Sequence, residues 1–100
     1  MSRQNPKDRQ ASILDAALRM SRLHGYQRIT RADIAAAAEC SDALVSSYFG
    51  TMVQVRRSVV RAAIKQRDLV VILEAMLAKD PHVQKAPEEL RRAAVASIEV

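Results

Sequence analysis

Glycine and proline are scarce in this chain, with two Gly and three Pro in 100 residues. That leaves little material for the turns of an all-β fold. Cysteine occurs once, as Cys40, so no internal disulfide can form and nothing points to an oxidising, secretory setting. No apolar run exceeds five residues, Leu69 to Leu73 being one of that length, against the roughly 20 needed to cross a bilayer. No charged start followed by an apolar stretch marks a signal peptide. The expectation is a soluble, cytoplasmic protein.

Catalytic hardware is missing as well. There is no glycine-rich phosphate loop and no triad spacing. His24 and His82 are far apart and lack Cys or acidic partners at ligand spacing, so no metal or cofactor is expected. Ser46-Ser47 has no His or Asp spaced to activate a hydroxyl. An enzyme is therefore not expected.

What is present favours an all-α fold. Ala, Leu, Arg, Lys, Gln and Glu dominate, all good helix formers, and the length suits one domain. Charge is uneven. Residues 1–67 carry twelve Lys or Arg against five acids, a balance of +7, whereas residues 68–100 carry four against six, a balance of −2. A basic first two-thirds attracts a polyanion such as nucleic acid.

Periodicity places the helices. Ile13, Leu14, Ala17 and Leu18 recur at three- and four-residue steps, and Gly25 stops the pattern, which predicts a first helix over 8–24. Thr30 as N-cap with Asp33 in the first turn predicts a second over 31–38. Ser41 as N-cap and Gly50 as breaker predict a third over 42–48. Thr51 caps a long fourth helix over 52–78, ended by Asp80-Pro81. Pro87 opens a fifth over 88–98. The block Leu69-Val70-Val71-Ile72-Leu73 is apolar all round, as in a helix buried on several sides or paired with another chain; its β-branched residues also suit a short strand, but no partner strand is visible and helix is expected.

Two short helices flanking the turn Glu39-Cys40-Ser41 suit a helix-turn-helix resting on the longer helices, with the third helix offered to the major groove. Helical spacing turns Ile34, Ala37 or Ala38, Cys40, Val45 and Phe49 inward. Asp42, Ala43, Leu44, Ser46, Ser47 and part of Tyr48 then point outward. Ser46 and Ser47 can donate to phosphates or bases, and Leu44 can touch a thymine methyl. Thr30 and Arg31 sit at a helix start, where backbone N–H groups favour a phosphate. Arg28 and Ser41 complete the candidate DNA-binding set. Cys40 reads as a small core residue rather than a redox sensor.

At these positions the chain resembles the DNA-binding domain of the tetracycline-repressor (TetR) family. The likeness runs from Ile13-Leu14-Asp15-Ala16-Ala17, through Gly25-Tyr26 and Thr30-Arg31-Ala32-Asp33-Ile34-Ala35, to Ser41 and Tyr48-Phe49, over roughly residues 9–58. The resemblance implies three helices packed on the start of a fourth, a dimer on a palindromic operator, and transcriptional repression. The chain departs from that family at three points: Glu39 replaces the usual turn Gly, Ser46 a frequent Tyr, and Met52 the usual phosphate-contacting Lys. With no cation on the third helix, phosphate contacts would fall to Arg3, Lys7, Arg9, Arg28, Arg31, Arg56 and Arg57.

About 50 residues follow Gly50, too few for the family's ligand cavity, so a short form without an inducer is expected. The expected organisation is residues 1–50 as the DNA-binding part and 51–100 as a helical dimerisation extension, in one compact unit. Leu69, Val70, Ile72, Leu73, Met76, Leu77, Leu90, Ala94 and Ile98 are the candidate homodimer surface. The alternative is a protein-interaction module whose reading face has decayed and which binds another regulator through its C-terminal helices.

Overall fold

Each helix in this computed structural model, which describes residues 5–99, begins and ends where local chemistry dictates. The first, α1 (Pro6–His24), opens with Asn5 accepting from the Asp8 N–H at 2.9 Å and with Pro6 in its first turn, where no N–H is needed. It closes at Gly25. Next, α2 (Arg31–Ala38) starts with a reciprocal capping box: the Asp33 N–H donates to the Thr30 hydroxyl, and the Thr30 N–H donates to the Asp33 carboxylate, both at 3.1 Å. Then α3 (Asp42–Phe49) starts from Ser41, whose Oγ accepts from the Leu44 N–H at 3.1 Å.

The long fourth helix expected over 52–78 is two helices. The first of them, α4 (Met52–Gln66), opens with a second capping box between Thr51 and Gln54 and ends at Arg67, which adopts the left-handed conformation at φ 57°. Asp68 then caps α5 (Leu69–Leu77), accepting from the Val71 N–H at 3.3 Å. The other Asp68 oxygen lies 3.4 Å from Nε of Arg22, and the carboxylate is largely buried. An aspartate ahead of an apolar block is an N-cap signal, and that signal outweighs the unbroken helical propensity around it. The break folds α5 back on α4 and α1.

A 3-10 turn over Pro81–Lys85 fills the stretch expected to be a simple helix end. It leads into α6 (Glu88–Ala96), which packs against α5. The expected fifth helix over 88–98 stops at Ala96 and tightens into a 3-10 turn over Ser97–Glu99. Among the described residues there is no strand.

All six helices share one core. Ile13, Leu18, Ile29, Ile34, Val45, Val59 and Val60 come from α1 to α4 and the loop before α2, and Val71, Ile72, Val83, Leu90 and Ala94 from α5, α6 and the turn between them. Burying each large aliphatic side chain contributes about 1.5–3 kcal/mol. This core corrects the expected dimer surface. Ile72, Leu90 and Ala94 are fully buried within the chain, because the break at Arg67 and Asp68 brings α5 and α6 onto one another. Leu69, Leu73 and Met76 are half-buried against the same core. Val70, Leu77 and Ile98 remain exposed, at 50%, 75% and 64%.

Candidate nucleic-acid interface

Neither α2 nor α3, at eight residues each, is stable alone. They are held by Ile34 and Ala35 from α2 and Val45 from α3, which are sealed into the core. The turn between them runs through Glu39, which takes the left-handed conformation at φ 56°. Its N–H donates to the Ala36 carbonyl at 3.2 Å, and the Cys40 N–H donates to the Ala35 carbonyl at 2.9 Å. These bonds satisfy the last carbonyls of α2 and redirect the chain into α3. Cys40 is half-buried, its sulfur 3.6 Å from the Ser41 carbonyl oxygen.

The outer side of α3 is small, polar and acidic. Ser41, Asp42, Ala43 and Ser47 are exposed, and Ser46 is half-buried. Leu44, expected to point outward, is half-buried and packs on the core, as do Tyr48 and Phe49. The reason is helical spacing: Leu44, Val45 and Tyr48 lie at i, i+1 and i+4, a single contiguous stripe. The face available to a partner is thus narrower than the sequence suggests. Ser41 also has one acceptor site committed to its cap.

The start of α2 is also partly committed. Thr30 is exposed, but both its hydroxyl and its N–H belong to the capping box. Arg31 turns back into the molecule, donating from its guanidinium to the Gly50 carbonyl at 3.3 Å. That bond ties the start of α2 to the α3–α4 turn, so Arg31 positions the motif. Arg28 stands exposed in the preceding loop. Met52, one of the departures from the resemblance, is half-buried against the core.

Of the other cations, Lys7 and Arg57 are exposed and Arg9 and Arg56 half-buried. The Arg57 Nε–H donates to Nε2 of His82 at 2.9 Å, linking α4 to the 3-10 turn. Arg3 lies outside the described residues.

The loop carrying Arg28 is fixed by contacts that sequence reasoning did not foresee. Tyr26 is buried. Its backbone N–H donates to a Glu74 oxygen at 2.7 Å, and its hydroxyl donates to an Asp80 oxygen at 2.7 Å. Burial above all, and then the hydrogen bond to Asp80, push the phenol well above its ordinary range, so it stays a neutral donor. These partners lie 48 and 54 residues away, beyond any local pattern. Among the described residues, no group of His, Cys, Asp and Glu is placed to hold a metal ion, and no helix is long and apolar enough to cross a membrane.

Two short helices joined by a three-residue turn and braced by α1 and α4 make a helix-turn-helix. Residues 13–59 match the family model described as bacterial regulatory proteins, tetR family, and this segment is a TetR-family DNA-binding domain. Comparison with curated proteins and with solved structures gave no match.

Proposed function

We propose that the chain is a cytoplasmic, sequence-specific transcriptional repressor that binds its operator as a homodimer, with α3 in the major groove. The observation that carries this reading is the match of residues 13–59 to a DNA-binding family, over a segment whose α3 offers an exposed face of small polar residues. Ala43 allows close approach, and Ser46 and Ser47 can donate to bases or phosphates. Lys7, Arg28 and Arg57, all within the basic stretch 1–67, supply exposed positive charge. Val70 and Leu77, one side of α5 at i and i+7, with Leu73 between them, form the apolar stripe suited to a second copy. Two copies would place their α3 helices about 34 Å apart. No small-molecule inducer belongs to this reading.

The test is selection of bound fragments from random genomic duplex DNA across a salt series, with particle mass measured alongside. The expected result is one enriched palindromic site, bound by a dimer, with affinity falling as salt rises. Weak binding without enrichment would overturn the repressor reading. One observation favours a second reading. Among the described residues, α3 presents a carboxylate, Asp42, and no Lys or Arg, which suits a reading head that has lost its duplex. The chain would then bind another regulator through α5 and α6, and the same experiment would return no DNA at low salt.

A further inference from the structure

We propose that the groove between α1 and α4 is a docking site for an acidic amphipathic helix of a partner protein. The groove has a volume of roughly 570 Å³ and opens to solvent. Its apolar floor is Leu14 from α1, Phe49 from the end of α3 and Ala62 from α4, and its rim carries Arg61 and Lys65. No carboxylate lines it. Arg61 and Lys65 are exposed, and among the described residues neither side chain has a hydrogen-bond or ion-pair partner. Other cations of this chain are engaged: Arg19 with Asp15, Arg22 with Asp68, Arg67 with Glu89 and Arg92 with Glu88.

Helical spacing makes the groove directional. Ser58, Ala62 and Lys65 or Gln66 follow one another at three- and four-residue steps, a span of about two turns or 11 Å. On the opposite wall, Lys7 stands one turn before Gln10 on the same side of α1, which lengthens the positive rim. An apolar row flanked by acids would lay its row on Leu14, Phe49 and Ala62 and its carboxylates on Arg61, Lys65 and Lys7.

Three other occupants fit less well. A small anionic amphiphile needs a site that buries most of its surface, and this groove is open. A duplex needs cations but no apolar floor. A second copy of the chain would have to offer α6, whose Glu88 and Glu89 stand beside Arg91 and Arg92 and already pair within their own chain.

The test uses the full chain and a fluorescent, helix-stapled peptide of about 15 residues, long enough to span the groove. Its leucines are spaced i, i+4 and i+7 between glutamates. An isomer of the same composition with leucines scattered round the helix is the control. The expected result is binding at least tenfold tighter than the control, with amide shifts at Gln10, Leu14, Ser58 and Ala62. Combining Arg61→Glu with Lys65→Glu should weaken it about tenfold while the melting temperature holds, since both side chains are exposed. Equal binding of the two peptides would overturn the proposal, as would shifts centred elsewhere. So would a double variant that loses the same factor for random duplex DNA, with duplex displacing the peptide, because the rim would then be a phosphate contact. A change in the chain's own oligomeric mass in the double variant would assign the groove to a second copy and overturn it too.

Discussion

Replacing Glu39 with glycine should stabilise the protein. Glu39 sits at φ 56° and ψ 48°, where a Cβ crowds the following carbonyl. The left-handed conformation costs a residue with a Cβ about 1–2 kcal/mol. Glycine escapes that cost but gives back about 0.4–1 kcal/mol through the larger entropy of its unfolded chain. Because the Glu39 side chain is exposed and makes no hydrogen bond or ion pair among the described residues, no contact is lost. The net gain is about 0.5–1 kcal/mol, and in a domain of this size it raises Tm by about 2–8 °C. The assay is thermal unfolding followed by far-UV circular dichroism, with Glu39→Ala alongside. Alanine removes the carboxylate but keeps the Cβ, so its Tm should stay near that of the parent. If both variants rise equally, the carboxylate is responsible. If the glycine variant falls, the backbone argument for this turn is refuted.

Tyr26→Phe removes the donor to Asp80 and strands a carboxylate oxygen, for an expected loss of about 1–2 kcal/mol in urea unfolding. The same residue sets a pH dependence. Its phenol titrates higher in the folded chain than its ordinary value of 10.0, so its contribution is complete below pH 10 and is lost as pH rises beyond that. Stability should therefore fall more steeply above pH 10 in the parent than in Tyr26→Phe, and parallel curves would contradict this. Gly50→Ala puts a Cβ against the Gln54 carboxamide at φ 81°, a conformation that strains any side chain. It should cost about 2 kcal/mol in the same unfolding measurement. If α3 enters the major groove, Asp42→Ala should tighten duplex binding about threefold at 0.1 M salt by removing a like charge. Unchanged anisotropy would place Asp42 away from the phosphates.

Local signals made the helix-turn-helix legible. Thr30 with Asp33, and Ser41 ahead of Asp42, marked where α2 and α3 begin, because caps act within one turn of backbone. The positions of Ile34 and Val45 followed from spacing alone. The break between α4 and α5 was harder to read. Arg67 has no side-chain feature that announces a left-handed residue, and only Asp68 carried a signal, one that the uninterrupted run without Gly or Pro on either side obscured. The site was less legible than the fold, because its errors depended on partners distant in sequence. Arg31 looked like a phosphate contact until the Gly50 carbonyl came within 3.3 Å of its guanidinium. Leu44 looked exposed because an eight-residue helix leaves few positions from which to fix its inward stripe. Ile72, Leu90 and Ala94 looked like an interface because an apolar stripe does not say whether its cover comes from the same chain or another.

The anchoring of Tyr26 also bears on how the molecule comes apart. Its two hydrogen bonds close loops of 48 and 54 residues, joining the approach to α2 directly to α5 and Asp80. Closing loops of that size is entropically expensive, so such links form late and are worth little unless both ends are already ordered. The DNA-binding segment and the C-terminal helices should therefore melt together. Amide exchange in α2 and in α6 should report the same global opening, and a change that loosens α5 should be felt at Arg28 as reduced protection of its loop.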